Sequence, residues 1–358
     1  MKYPGTKLKV GSDFSGVGAF NQALMRLGVN YEEIFACDRD KYARQTFIHN
    51  YGEPKYYPTD VYEREIPTES LDVYMTSPPC QAFSMAGRRL GKEDKRGILF
   101  FNSLEFIQQN KPRFFIFENV KGLLSDDNGK TFQEWINFLG GKSVNGLPVL
   151  FPEEDSVPYH LYWKVLNAKE HGIPQNRERV FLIGIRDDKD NNFRFPIEEH
   201  LTKRLKDILE ENVDKKYFLS DTMISGFEKH NENHKKKETG FIFKPKGKNE
   251  IANCLRANSA ICATDNIIYD NVCKFHFHTC INYKYNLCDD CDEGSKYEYL
   301  QDEFDKSVYR KLTPRESFRL MDFPDSFTWP VSDSQAVKQA GNSIVVNVLY
   351  KILKNLNL

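Results

Sequence analysis

The stretch TSPPCQAFSMAGRR, residues 76 to 89, places a single cysteine directly after two prolines and before a glutamine. Two prolines cannot continue a helix or a central strand, so they stiffen the chain where LDVYMT ends and hold Cys80 in a fixed orientation. A thiol held in this way suits a nucleophile aimed at one atom, the alternative being a small buried core residue. Two other patches carry groups that could work beside it. FIFENVKG puts Glu118 at the end of an apolar run, and IPQNRERVF puts Arg177 and Arg179 two residues apart at the start of another. On a strand, that spacing points both guanidinium groups to one face.

A different chemistry is written near the N-terminus. In SDFSGVGAF, Gly16 and Gly18 sit where a strand-like segment turns into a helix-like one, leaving backbone amides free for a carboxylate or phosphate. An ordinary tight turn has the same local look. Asp38 follows about 20 residues on, at the end of the next apolar segment, where an acid can accept hydrogen bonds from both ribose hydroxyls. The F-x-G-x-G pattern, which includes Phe14, differs from the G-x-G-x-x-G of dinucleotide sites and shifts the expectation from a nicotinamide cofactor to S-adenosylmethionine. Asp60, in PTDVYE, is a candidate contact for an adenine amino group or a turn cap.

The elements that must position these groups alternate. KLKVGSDF, YEEIFACD, LDVYMT and RFFIFEN read as short strands. DKYARQTFIHN, GILFFNSLEFIQQN and the segment with Phe20, Leu24 and Leu27 on one face read as helices between them. Such alternation predicts a parallel sheet covered on both faces. YHLYWKVLNA and RVFLIGIR add strands. From Asp187 to Tyr309 the chain is rich in Lys, Asn and Asp, holds six of the eight cysteines and loses the alternation, which predicts a separate smaller domain or a large insertion. Helical patterning returns at RKLTPRESFRLMDFPDSF and ends in an amphipathic helix, with Gly-Asn-Ser of QAGNSIVVNV expected at its start.

Composition excludes several classes. With 358 residues, 40 % hydrophobic and 28 % charged, the chain is that of a soluble globular protein. No apolar run approaches the roughly 18 residues of a membrane span, and no targeting segment is read at the N-terminus. The expectation is a cytoplasmic protein with no membrane partner. The cysteines are too sparse for a disulfide scaffold. Fifty basic against 51 acidic residues give no global attraction to nucleic acid. Charge is uneven, however: residues 229 to 248 carry seven lysines against two acids, while residues 287 to 305 carry eight acids against one lysine. The first run could sit on phosphates; both could also be solvated loops.

Taken in order, Phe-x-Gly-x-Gly, Pro-Cys-Gln, Glu-Asn-Val, Gln-x-Arg-x-Arg and Gly-Asn-Ser resemble the cytosine carbon-5 DNA methyltransferase family of bacterial or phage type. The resemblance covers residues 7 to 186 and 308 to 358. It implies an α/β fold, a Rossmann-like class I methyltransferase with a mostly parallel sheet, plus a smaller target-recognition domain. The implied division is a catalytic domain at 1–186, target recognition at 187–309, and a return to the catalytic domain at 310–358. It further implies sequence-specific methylation of double-stranded DNA, with Cys80, Gln81, Glu118, Arg177 and Arg179 as catalytic residues. Phe14, Gly16, Gly18, Asp38, Asp60, Pro79, Asn342 and Ser343 would bind S-adenosylmethionine. Ser84, Arg88, Arg89 and Arg96, in a loop that closes on DNA, would contact the substrate. Leu255, in NCLRANSA, resembles part of a Thr-Leu element with Cys254 in place of Thr. One departure stands out: Arg39 follows the ribose acid where the family often has an apolar or aromatic side chain. A monomer is expected, and a companion restriction endonuclease is a further expectation. The runner-up functions are a transfer-RNA cytosine carbon-5 methyltransferase and an inactive DNA-binding regulator.

The resemblance leaves CKFHFHTCINYKYNLCDDC, residues 273 to 291, unexplained. Cys288 and Cys291 have the C-x-x-C spacing that lets two thiolates grip one tetrahedral ion. With Cys273 and Cys280 they make a candidate structural zinc site, His276 and His278 being alternative ligands.

Overall fold

A computed structural model of the chain describes residues 7–79, 98–186, 188, 193–237, 243–257, 265–270 and 309–358. Its first half follows the predicted alternation. In chain order the elements are β1 (Leu8–Asp13), α1 (Ala19–Leu27), β2 (Tyr31–Cys37), α2 (Lys41–Tyr51) and β3 (Val73–Thr76). There follow α3 (Ile98–Asn110), β4 (Phe114–Val120), α4 (Lys130–Leu139), β5 (Ser143–Val144), β6 (Leu147–Pro148), β7 (Tyr159–Asn167) and β8 (Glu178–Arg186). The strands form one sheet in the order β2-β1-β3-β4-β8-β7-β5-β6. β2, β1, β3 and β4 are mutually parallel, whereas β8 runs antiparallel to both β4 and β7.

The near-continuous apolar runs of the central strands have a simple cause: the sheet is covered on both sides. Successive residues of β4 serve the two sides in turn. Phe114 and Ile116 join a core with Val10, Val73, Met75, Ile183 and the apolar faces of α1 and the last helix. Phe115 and Phe117 join a second core with Tyr74, Phe106, Trp135 and Leu182, beneath α3 and α4. Chain direction is controlled by local caps. Asp40 opens α2 by accepting hydrogen bonds from the amides of Tyr42 and Ala43, and Gly28 ends α1 in the left-handed region.

Beyond β8 come α5 (Asp221–Lys237) and a small antiparallel pair, β9 (Ile267–Tyr269) with β10 (Tyr309–Lys311). Leu219, Phe243 and Ile267 make a small apolar cluster there, while Leu205, Ala252, Leu255 and Ile268 enter the main core. Arg310, fully buried, donates two hydrogen bonds of 2.8 Å to the carboxylate of Glu316 and pairs with Asp270, tying the small sheet to the next helix. The chain closes with α6 (Pro314–Leu320), opened by a reciprocal Thr313–Glu316 cap, then α7 (Asp333–Asn342) and α8 (Val346–Asn355).

One expected boundary is corrected. Gly-Asn-Ser ends α7 instead of opening the last helix, and residues 343–345 form the turn into α8. An added side chain explains the small residue: a Cβ at Gly341 would lie 2.4 Å from the carbonyl oxygen of Arg256, a backbone atom that cannot swing aside.

The same kind of close approach fixes the β4–β8 pairing. Gly184 faces Phe115, and a Cβ at Gly184 would lie 2.0 Å from its ring. Gly184→Ala is therefore expected to destabilise the fold by about 1–3 kcal/mol through overpacking. Urea unfolding should show a lower midpoint with an unchanged slope.

Candidate active site

Consecutive strands β2 and β3 lie on opposite sides of β1, so the carboxyl ends of β1 and β3 border a crevice where the strand order reverses. Open α/β sheets bind ligands at such a point. The chain leaving β1 turns sharply there: Phe14, Gly16 and Gly18 have φ of 56°, 55° and 82°. A Cβ at Gly16 would meet the Phe14 carbonyl oxygen at an ordinary 4.0 Å, so its left-handed backbone is what favours glycine. Gly18 has a second reason, since a Cβ would lie 2.2 Å from the Tyr51 ring, and the Tyr51 hydroxyl donates to the Gly18 carbonyl.

Asp38 stands across this turn at the end of β2. Its Oδ2 accepts from the Gly16 amide at 2.7 Å and its Oδ1 from the Asp40 amide at 2.8 Å. Burial pushes its carboxyl above the ordinary carboxylate range, and these two amides hold it back. An ionised carboxylate has about four lone-pair sites, which leaves acceptor capacity for ribose hydroxyls. The donor set thus fits the nucleoside part of S-adenosylmethionine. The adjoining wall is built by Arg44, which lies 3.8 Å from the centre of the Tyr57 ring and donates to the Pro58 carbonyl. Asp60 is exposed, and its Oδ1 accepts from the Tyr62 amide, the geometry of a turn cap.

Sequence reasoning missed the groups beneath the turn. Asp13, 1 % exposed, is paired with Arg64 Nε at 2.9 Å and accepts from the Tyr74 hydroxyl at 2.6 Å. Burial drives its carboxyl upward and the Arg64 guanidinium opposes this. The signal available was an acid closing an otherwise apolar strand; nothing around Arg64 marked it.

The other half of the crevice is set by β3 and β4. Their register pairs Thr76 with Phe117, so the chain after β3 rises beside Glu118. Asn119 Nδ2 donates to the Pro78 carbonyl at 3.1 Å, anchoring the first of the two prolines; Pro78 is buried and Pro79 exposed. Cys80, Gln81, Ser84, Arg88, Arg89 and Arg96 lie outside the described residues. Glu118, 8 % exposed, receives Arg179 Nε at 3.1 Å. Burial raises the Glu118 carboxyl above its usual range, with Arg179 and then Arg177 pulling it down. Such a group holds its proton to a higher pH than a solvated glutamate does.

Arg177, the residue before β8, and Arg179 within it both reach Cys254 Sγ, yet they are used differently. Arg177 is 3 % exposed and donates to the carbonyls of Leu255 at 2.8 Å, Gly341 at 3.0 Å and Ser343 at 2.8 Å. Its Nη1 also lies 3.4 Å from Cys254 Sγ. Burial lowers its guanidinium to about 10. Leu255, expected against DNA, is instead buried, its amide donating to Gln175 and its carbonyl accepting from Arg177. Both backbone groups are occupied and the side chain is in the core. Asn342 is exposed and Ser343 buried beside Arg177.

Among the described residues no group of three or more His, Cys, Asp or Glu could hold a metal, and no helix is long and apolar enough to cross a membrane. The candidate zinc ligands at 273–291 lie outside the described residues.

A mostly parallel sheet with a crevice at the strand reversal, a buried acid at the end of β2 and a carboxyl–guanidinium pair alongside have the form of a Rossmann-like methyltransferase. The profile of C-5 cytosine-specific DNA methylases matches residues 8–357. The type II methyltransferase M.HpaII of Haemophilus parainfluenzae is 34 % identical over 96 % of this chain and 88 % of its own. The orphan methyltransferase M.SPRI of Bacillus phage SPR is 31 % identical over 98 % and 97 %. The chain belongs to the C-5 cytosine-specific DNA methylase family. It is a sequence-specific DNA (cytosine-5-)-methyltransferase, and S-adenosylmethionine is its methyl donor. Among solved structures, a Spodoptera frugiperda DNMT2 variant superposes with a TM-score of 0.71 at 21 % identity, over 98 % of this chain and 100 % of that one. That likeness concerns the fold.

Because three backbone carbonyls depend on Arg177, Arg177→Met should cost on the order of 3 kcal/mol or more in stability. Arg179→Met, which removes a partly exposed group with one carboxylate partner, should cost less stability and more activity. Urea melts and single-turnover methylation of the two variants separate these outcomes.

Proposed function

We propose that Cys80 is the nucleophile of the methylation, that Glu118 is its proton partner at the base, and that Arg179 holds Glu118 in place. The observation that carries the reading is the pairing of buried Glu118 with Arg179 beside the anchored Pro78, two residues before the thiol. Carbon 5 of cytosine is a poor nucleophile because the ring is aromatic. Addition of the Cys80 thiolate at carbon 6 breaks the aromaticity and makes carbon 5 enamine-like. Glu118, its carboxyl raised by burial, shares a proton with ring nitrogen 3 as charge builds there. S-adenosylmethionine, when bound, supplies an electrophilic methyl group. A base, such as water, then removes the carbon-5 proton, and the Cys80 sulfur leaves by elimination. Arg177 acts in this scheme as a positioning residue, since both of its Nη groups donate to backbone carbonyls.

A stacked cytosine exposes neither face of carbon 6, so the base must be extruded from the duplex. Ser84, Arg88, Arg89 and Arg96 are assigned to the loop that closes over DNA, and the lysines of residues 229–248 to backbone contacts. Residues 1–186 with 310–358 are read as the catalytic domain and 187–309 as target recognition. Phe14, Gly16, Gly18, Asp38, Asp60, Pro79, Asn342 and Ser343 are assigned to the methyl donor. Relatives named as type II enzymes support a companion restriction endonuclease, and a relative named as an orphan enzyme supports solitary action. The enzyme is read as a monomer. The match to the C-5 cytosine-specific DNA methylase profile and relatives named as type II methyltransferases, at about one-third identity, favour this reading over the transfer-RNA alternative.

Cys80→Ser should abolish methyl transfer while leaving S-adenosylhomocysteine binding nearly intact by calorimetry. With the unmodified enzyme, 5-fluorocytosine at the target should trap a denaturation-resistant DNA adduct, because fluorine cannot leave as a cation. No adduct on any fluorinated target, or substantial turnover by Cys80→Ser, overturns the covalent route.

A structural zinc held by Cys273, Cys280, Cys288 and Cys291 rests on the C-x-x-C spacing and cysteine density. Metal analysis of untagged protein should give about one zinc per chain. Four freely titratable thiols in metal-free, active enzyme would reject it.

A further inference from the structure

We infer that Cys254 is a positioning residue for the methylation: its sulfur holds the outer edge of the Arg179 guanidinium and so fixes the plane in which Arg179 meets Glu118. The inference rests on Glu118 and Arg179 acting at the base. Arg179 is held along its rim. Its Nε meets Glu118 Oε1 at 3.1 Å, its Nη1 donates to the Glu178 carbonyl at 2.8 Å, and Nη1 and Nη2 each lie 4.0 Å from Cys254 Sγ. The same half-buried sulfur lies 3.4 Å from Nη1 of Arg177, the guanidinium committed to backbone carbonyls. Cys254 thus stands between the fixed arginine and the working one.

The segment that presents the sulfur is tied on both sides. The Ala252 amide donates to the Pro174 carbonyl and its carbonyl accepts from the Asn176 amide, both at 2.8 Å, while the Leu255 amide donates to Gln175 Oε1 at 2.9 Å. Between them, the Asn253 amide donates to Oδ1 of buried Asn266 at 2.7 Å, and Asn266 Nδ2 returns a bond to the Asn253 carbonyl at 3.1 Å. Asn266 is the residue before β9, so continuous contacts run from there through Asn253, Cys254 and Arg179 to Glu118. Sulfur is a weak acceptor, and the contact adds little binding energy by itself. Its effect is restraint: a guanidinium held only at Nε and Nη1 can still tilt about that edge, and a small tilt misaligns the carboxyl that meets ring nitrogen 3.

The test compares Cys254→Val with Cys254→Thr, two side chains of one shape of which only threonine carries an acceptor. Cys254→Ala and Cys254→Ser repeat the comparison without the added methyl group. Thermal melts confirm folding, single-turnover methylation is followed across pH, and DNA affinity is measured separately with S-adenosylhomocysteine present. Cys254→Val should lower the single-turnover rate on the order of tenfold with DNA affinity unchanged. Because Arg179 pulls the Glu118 carboxyl down, a loosened Arg179 lets it rise, so the alkaline limb of the rate should move to higher pH. Cys254→Thr should restore both the rate and the limb. Equal losses in valine and threonine variants would reduce Cys254 to packing and overturn the inference, as would an unchanged rate in Cys254→Val. Weakened DNA affinity with an unmoved limb would make the thiol a substrate contact and overturn it as well. Arg179→Met is the reference: an unchanged rate and limb there would overturn the reading of the Glu118–Arg179 pair beneath the inference.

Discussion

The buried guanidinium of Arg177 is the joint on which the catalytic half of the molecule depends. A charge moved out of water needs acceptors, and here the Nη1 and Nη2 groups find them in two places far apart in sequence: Leu255, and the pair Gly341 and Ser343. The carbonyls in turn could not be buried without a donor. Satisfying one side satisfies the other, and the result pins the start of β8, the returning segment around Leu255 and the α7–α8 turn together. Gly341 permits it, because any side chain there would drive the Arg256 backbone away. Arg179, two residues on, inherits its position from this joint and so meets Glu118.

The cofactor side has an equivalent anchor of smaller extent. Asp13 ends β1 inside the protein, neutralised by Arg64 and bonded by Tyr74. The strained residue that follows, Phe14, can hold left-handed backbone because the residue before it is fixed from below and Gly18 beyond it is fixed by Tyr51. Two buried arginines, one in each half, thus convert a generic α/β sheet into one with a defined edge.

Much of this was legible from residue order, and the unread part shares one physical character. Strand and helix alternation is written in local periodicity, so the parallel half was predictable from KLKVGSDF, YEEIFACD, LDVYMT and RFFIFEN. Glu118 and Arg179 were found because strand ends and i, i+2 spacing have geometric meaning without tertiary knowledge. Arg64 and the acceptors of Arg177 were not, since each is defined by partners tens to hundreds of residues distant. The same holds for Leu255: its motif suggested a surface role, while its burial follows from Gln175 and Arg177 closing both of its backbone groups. The helix break at Ser343 escaped periodicity because Ile344, Val345 and Val346 continue the apolar pattern through the turn.

The reversed direction of β8 carries a consequence for how such a chain accommodates change. Running antiparallel to β4, it begins at the working edge of the sheet and exits at the opposite edge beyond Arg186. Everything between Arg186 and the bridge at Ala252 leaves from the remote side and must travel back before it rejoins Gln175. Where that excursion is pinned, as at Leu205 in the main core and Glu210 on Glu316, its length is held; between such pins it is uncoupled from the arginine pair at its origin. Doubling a flexible connection costs only about 0.6 kcal/mol in closure entropy. A segment tethered in this way can be lengthened, shortened or exchanged with little strain on the edge where β8 begins.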